Sequence, residues 1–456
     1  MNQEDRKTEI RPFVLGVVMT DEWAASPNMG ETTGEGAAKS AKMKAIKTAE
    51  GWRTILSGQA VGSWHRQTLY YNFGWKVSEL QETVSGRDTR SFYTQCQPIE
   101  YAEDDGRGYM AAVTVEEKVK AKDKKGGEKD WKRQLTTKRT SPFMLSHFQS
   151  VAPNHRLNEF GILARNLDEL PEEVKGGLIF RAEVAAAAYT GLFALNLSEL
   201  GCFTVGQGRD LLPFEHPDLT ELLTSDDLPY KAILQKRARG DALTHDEQEK
   251  VKVLAKLLKR CVSAKRGAVL CLSPEERRRR AHDLIAAMAD LEGGAHMTRR
   301  LYNVAPASAL VAFMNGGNSL PPHIFRAAVR DEDSYGNKTY KFEVDVSRLW
   351  KVLKDNAHRF LQREGDEKAY NVFFGTLGAP TIENEEAVTT LLKGNDAERK
   401  LPDTVHCKIC DGPREAIREA AQSIPLEWFT TQQVATQMDG SVRYGEEQLE
   451  LQQKEK

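Results

Sequence analysis

The chain has 456 residues, with 64 Lys and Arg against 66 Asp and Glu, a formal net charge of −2 at pH 7 and 40% apolar residues. That length supplies one large elaborated domain or two, while the near-neutral total says nothing about nucleic acid and leaves the question to local patches. No apolar run approaches the roughly 18 residues of a membrane span, the Met1-Asn-Gln-Glu-Asp5 start lacks a basic n-region, and six cysteines at scattered spacing suit a reducing cytosol, so the sequence predicts a cytoplasmic protein with no membrane partner.

Arg11-Pro-Phe-Val-Leu-Gly-Val-Val-Met-Thr20 reads as a buried first strand. Residues 23–51 are rich in Gly, Ala, Ser and Thr and read as a long mobile loop carrying Lys39, Lys42, Lys44 and Lys47, with Arg53 just beyond. Thr54 to Leu56 read as the end of a strand or a turn. Ser57 is a good N-cap for a helix running to about Tyr71. Gln59, Ser63, Arg66 and Tyr70 fall at i, i+4, i+7 and i+11, on one helix face. That face is polar and cationic and begins at a helix N-terminus, where free N–H groups and the dipole favour an anion. A basic segment feeding such an end fits a sugar-phosphate backbone. The blander alternative is an ordinary surface helix after a solvated charge run.

Ala111 to Glu117 and Trp131 to Thr140 read as extended arms flanking Lys118-Val-Lys-Ala-Lys-Asp-Lys-Lys-Gly-Gly-Glu-Lys-Asp130, with Gly126-Gly127 as the turn. The expectation is a protruding β-hairpin with a cationic tip. Lys118, Lys120, Lys122, Arg133, Lys138 and Arg139 are its candidate nucleic-acid contacts, and Trp131 is an aromatic able to stack on bases. A protective, solvated charge run is the alternative. Thr140 to Val151 returns the chain to the core, 177–184 reads as a strand, and 183–203 carries a helical apolar pattern ending near Gly201. Residues 207–265 read as mainly helical and charged. Ser273-Pro-Glu-Glu276 is a well-formed helix start, and the helix stops at Gly293-Gly294. Arg277 to Arg280 wrap around that helix and read as mostly solvated. Ala309 to Met314 looks strand-like, as does the alternation of Tyr340, Phe342, Val344 and Val346. Residues 384–456 are polar and helix-prone.

Several segments together resemble one family. Ser57-Gly-Gln-Ala-Val-Gly-Ser-Trp-His-Arg66 resembles the "SGQ…R" helix of the DevR-type CRISPR-associated autoregulators, a family of the RAMP superfamily that supplies the backbone subunits of type I Cascade complexes. Asp104 to Met110 is similar to its "DDxxGYM" segment, Lys138 to Ser146 to "KRTSPLxVS", Arg181 to Phe203 to its "E…F-L-D-L-x-x-x-G-x-F" stretch, and Gly293 to Arg300 to "GGAKQTRH". The resemblance implies an α+β fold, an RRM-like (ferredoxin-like) palm over 1–206 and 266–350. It also implies a thumb hairpin at about 104–141. The chain is long for the family: 207–265 reads as a helical insertion and 351–456 as a mainly helical C-terminal extension, additions to which no family role transfers. The resemblance implies non-catalytic binding of guide RNA (crRNA), copies stacked in a helical filament with other Cascade subunits, target DNA met through guide pairing, and no cofactor. Carried over by position, Ser57, Gln59, Ser63, His65 and Arg66 would hold phosphates, Met110 would be a wedge, and Gly293, Gly294, His296 and Thr298 would line the RNA side of the palm. His296-Met297 stands where the family more often has Lys-Gln.

Other chemistry is weaker. His406-Cys-Lys-Ile-Cys410 contains a CxxC but no second pair of zinc ligands nearby. Asp21, Glu22, Glu31, Glu35, Asp104 and Asp105 are the candidate acids of an alternative, a metal-dependent RNase on the same palm. A further alternative is an interaction scaffold that recruits a partner through the C-terminal region.

Overall fold

A computed structural model describes residues 10–27, 29–33, 40–85, 89–119, 129–154, 156–162, 179–204, 244–245, 261–264, 267–294, 302–334, 338–363, 365–366 and 369–429. The expected insertion at 207–265 lies almost wholly outside these residues, as do the hairpin tip and the last part of the C-terminal region.

The central strand is β1 (Pro12–Thr20), buried at every position. Such a run can be accommodated only where both faces of a sheet are covered. The sheet around it is built from β2 (Ala45–Thr48), β3 (Gly51–Leu56), β6 (Phe143–Leu145), β7 (Phe148–Ser150), β8 (Tyr189–Asn196), β9 (Pro306–Asn315), β10 (Val372–Thr376) and β11 (Cys407–Ile409). The numbers β4 (Tyr109–Val119) and β5 (Lys129–Arg139) belong to a separate two-stranded hairpin. The spatial order is β11-β10-β9-β1-β8-β7-β3-β2, with β6 also on β8. Antiparallel β1 pairs Phe13 with Asn196 of β8 and with Met314 of β9. The pair β10–β11 is parallel.

Among the described residues six α-helices accompany the strands: α1 (Gly58–Phe73), α2 (Ala102–Arg107), α3 (Pro274–Ala286), α4 (Val346–Asp355), α5 (Glu385–Leu392) and α6 (Pro413–Gln422). Alternation along β1 sends its side chains to two cores. Val14 and Val18 pack with Leu69 of α1, Leu284 and Ile285 of α3 and Ile417 of α6. Leu15, Val17 and Met19 pack with Leu349 and Leu353 of α4 and Val388 and Leu391 of α5. The protein is thus an α+β fold, a large sheet with helices on both faces.

Four sequence readings are corrected by this architecture. Residues 183–203 are not helical: they form the end of strand Ile179–Ala187 and all of β8. Because β8 is buried on both faces, it lacks the period-2 pattern that marks a half-exposed strand, and its apolar run mimics a helix. Residues 23–51 contain strands Trp23–Ala25, Met29–Thr33 and Ser40–Met43 as well as β2. Their partners include Ile179–Ala187, distant in sequence, so local composition could not reveal them. The C-terminal region is not purely helical, since β10 and β11 extend the central sheet. Finally, the arginine run is not mostly solvated. Arg277 and Arg280 are only 1% and 2% exposed, whereas Arg278 and Arg279 are exposed.

Burying those two guanidiniums requires that their donors be satisfied. Arg277 donates to the carbonyls of Leu200 (2.6 Å), Leu197 (2.9 Å), Ser198 (3.1 Å) and Phe429 (3.0 Å) and lies over the Phe429 ring. It therefore fastens the C-terminal segment to the turn after β8. Arg280 meets Asp105 at 2.9 Å and the carbonyls of Pro98 (2.7 Å) and Ile99 (2.8 Å). Among the described residues no helix is long and apolar enough to cross a membrane.

Candidate nucleic-acid interface

Helix α1 begins as its sequence dictates. Ser57 has extended backbone angles, and its hydroxyl accepts from the Ala60 N–H at 3.3 Å. The first turn carries no acid, so the N-terminal partial charge is not neutralised locally. Val61, Trp64, Thr68 and Leu69 turn inward, while Gln59 is exposed and Ser63 and Arg66 are half-buried. The shared polar face of Gln59, Ser63, Arg66 and Tyr70 is present, but its far half is already engaged. Glu103 of α2, itself buried, forms an ion pair with Arg66 and accepts the Tyr70 hydroxyl proton. Burial, then that hydrogen bond, pushes the Tyr70 phenol above its usual range.

The same helix pair holds a residue that sequence reasoning missed. Arg107, the last residue of α2, lies half-buried against α1. A Cβ at Gly62 would overlap its guanidinium, so the glycine of Ala60-Val-Gly62 is what admits it. The guanidinium stands 6.0 Å from the centroid of Phe143. Burial, then the like charge of Arg66, lowers its pKa to about 10, with Glu103 offsetting part of this. Among the described residues, Glu103 is thus the carboxylate that both Arg66 and Arg107 face, two positive groups to one negative. The signal available in sequence was Gly62 four residues before Arg66, which reads as nothing until the partner helix is in place.

His65 is not a phosphate ligand. It is wholly buried, its Nε2 donates to the Leu284 carbonyl at 2.9 Å, and its ring stacks on Phe143 at 4.6 Å. Burial, reinforced by Arg107, lowers its pKa to about 3, so it is neutral at physiological pH. Arg139 is likewise structural: it pairs with Asp105 and donates to the carbonyls of Asp105, Cys202 and Glu199, each at 3.0 Å. Arg53 is braced by the carbonyls of Ser150 (2.6 Å) and Val151 and by Glu50. These three failed as contacts because sequence shows charge but not burial.

The hairpin β4–β5 is in register from Arg139↔Tyr109 to Lys129↔Val119. At its root Tyr109, Ala111, Thr137 and Arg139 are buried, and the cross-strand partners Met110 and Lys138 are exposed, Met110 to 67%. An apolar side chain and a cation therefore stand side by side where the hairpin leaves α2. Lys118 and Arg133 occupy register positions opposite Asp130 and Val115, but their side chains lie outside the described residues, as do Lys39, Lys120, Lys122, His296 and Thr298. Lys42, Lys44 and Lys47 are exposed. Gly293 and Gly294 have φ of +157° and +127°, and a Cβ at Gly293 would collide with Trp64, so the glycine pair closes onto α1.

Of the candidate catalytic acids, Asp21, Asp104 and Asp105 hold structural partners. Asp105 is fully buried between Arg139 and Arg280. Asp104 accepts from Ser78 Oγ at 2.9 Å and the Gln97 N–H at 3.0 Å. Asp21 accepts from Thr381 at 2.9 Å, and Glu22 is exposed; the Glu31 side chain and Glu35 lie outside the described residues. Among the described residues no group of three or more His, Cys, Asp or Glu could hold a metal. Burial pushes the Cys407 and Cys410 thiols up to about 12 and about 11.

Fold and site together define an α+β protein in which a helix face bearing Arg66 lies beside the root of a two-stranded hairpin. Residues 24–333 match the family of the CRISPR-associated negative auto-regulator DevR/Csa2. With most of its length covered, the chain belongs to that CRISPR-associated family. Among solved structures, a chain of a "CRISPR RNA-guided surveillance complex" shares 10% identity over 90% of this chain and 99% of its own, with a TM-score of 0.37. A chain of a "CRISPR RNA-guided surveillance complex, pre-nicking" shares 9% over the same coverage, with a TM-score of 0.39. No curated protein matches the chain.

Proposed function

We propose that this protein is a non-catalytic subunit that holds guide RNA by its sugar-phosphate backbone and packs beside further copies of itself in a type I CRISPR interference complex. The order β9-β1-β8-β7, with α1 and α3 in the crossovers, is read as an RRM-like palm, and hairpin β4–β5 as its thumb. The observation that carries the reading is the Arg66–Arg107 pair, Arg66 on α1 and Arg107 at the end of α2, two guanidiniums beside Glu103 inside the family match. Such a surface recruits a polyanion without reading sequence. A guide held by its backbone keeps its base edges free, and recognition of target DNA passes to base pairing. One variant of RRM binding is disfavoured, because Phe13 and Phe374 of the sheet are buried in the second core together with Phe325 and Phe342 of a separate two-stranded hairpin, so these aromatics offer no open platform for stacked bases. Met110 beside Lys138 suits a wedge flanked by a phosphate contact.

The test is to purify the protein from its native locus and sequence the RNA that accompanies it. RNAs of uniform length, with repeat-derived flanks around variable spacers, are expected. Absence of RNA, or a random spread of cellular fragments, would overturn the reading. Complementary RNA incubated with the assembled protein and Mg²⁺ is expected to stay intact, and regularly spaced cuts would favour the RNase alternative.

A further inference from the structure

Two thiols that the RNA reading does not use face each other where the chain borders residues 205–260. Strand Cys202–Thr204 pairs antiparallel with strand Gly267–Cys271, and Cys202 stands directly opposite Cys271. The Leu272 N–H donates to the Gly201 carbonyl at 2.8 Å, which makes Gly201–Leu272 the hydrogen-bonded pair and Cys202–Cys271 a non-hydrogen-bonded one. In such pairs the Cα atoms approach to about 4.5 Å, within the roughly 4.4–6.8 Å that a disulfide spans. Their sulfurs already lie 2.9 Å apart, with no disulfide joining them. Cys202 is half-buried and Cys271 buried, so the first is open to a small reagent and the second is poised behind it. The hydrogen bond from Cys271, then the guanidiniums of Arg277 and Arg139, favour the Cys202 thiolate.

We propose that Cys202 and Cys271 are a reversible dithiol–disulfide pair, closed by hydrogen peroxide and reopened by dithiol reductants. The Cys202 thiolate attacks the peroxide O–O bond; an S–O bond forms, the O–O bond breaks, and the departing hydroxide takes a proton to become water. The Cys271 sulfur then attacks the sulfenic sulfur, the S–O bond breaks, and a second water leaves. Two thiols and one peroxide thus give one disulfide and two waters. The bond ties strand Cys202–Thr204, which leads into residues 205–260, to strand Gly267–Cys271. It also lies at the hairpin anchor, because the Cys202 carbonyl accepts from Arg139, which holds Asp105. In a reducing cytosol the resting form is the dithiol. Cys261, opposite Leu270 on the next strand, serves as the internal control.

The experiment treats the full-length protein with graded hydrogen peroxide, blocks remaining thiols with N-ethylmaleimide after denaturation, and maps peptides by mass. A linked Cys202–Cys271 peptide is expected, lost on dithiothreitol treatment, absent in C202S and C271S, and retained in C261S. The wild-type map alone decides the matter if a variant fails to fold. Full alkylation of both cysteines at every peroxide level, or their conversion to sulfinic acid without a linked peptide, would overturn the proposal.

Discussion

His65 and Asp105 show how a residue with the chemistry of a binding or catalytic group becomes structural once buried. The His65 pKa falls from an ordinary value near 6.5 to about 3, first through burial. The unfolded chain therefore takes up a proton between those values and the folded chain does not, so stability is lost as pH falls below about 6.5. We expect the unfolding free energy from urea titrations to drop between pH 7 and pH 5, by up to about 1.4 kcal/mol per pH unit, and His65→Gln to flatten that slope. An unchanged slope in the variant would assign the acid sensitivity elsewhere. Asp105 is the common partner of two buried guanidiniums. Asp105→Ala removes the buried carboxylate that both share, leaving Arg280 with the less buried Glu276, and is expected to cost about 3–5 kcal/mol in urea unfolding. A stable variant with altered RNA cleavage would instead return Asp105 to the catalytic alternative.

At the scale of elements, α1, α2 and the root of β4–β5 act as one unit, since Glu103 binds α1 and Arg107 reaches Gly62 two residues before the hairpin begins. Arg66→Gln and Arg107→Gln are each expected to weaken single-stranded RNA binding on the order of tenfold. Each should lower the slope of log affinity against log salt by about 0.7, the signature of one lost phosphate contact. Fluorescence anisotropy over a salt series reads both quantities. An unchanged slope with intact folding would remove that arginine from the interface. Ser57 and the start at Ser273-Pro274 were legible because capping is local: each hydroxyl accepts from an N–H three residues on, at 3.3 Å. The pairing of 23–51 with Ile179–Ala187 was not legible, because register between distant strands leaves no local trace.

At the scale of the molecule, the C-terminal region completes the fold that the family match begins. Elements α4 and α5 cover the second face of the sheet, β10 and β11 extend it, and α6 packs in the first core. Arg277 adds a polar fastening to Phe429. A chain ending at residue 350 would expose Leu15, Val17 and Met19 to water, each worth about 1.5–3 kcal/mol when buried. It is expected to lose the cooperative thermal transition seen by near-UV circular dichroism. A retained transition would make the region a dispensable addition.

The sequence by itself determined the first strand, the caps of α1 and α3, the hairpin arms and the family, because these rest on local periodicity, capping chemistry and contiguous motifs. Only the tertiary structure decided which charges are available to a ligand. Lys42, Lys138 and Arg66 reach solvent, whereas His65, Arg139, Arg277 and Arg280 are buried and spent on carbonyls, Asp105 and ring stacking. Arg107 entered the candidate interface for the same reason the others left it. A side chain's charge is written in the sequence, but its solvation and partners are set by elements far away along the chain.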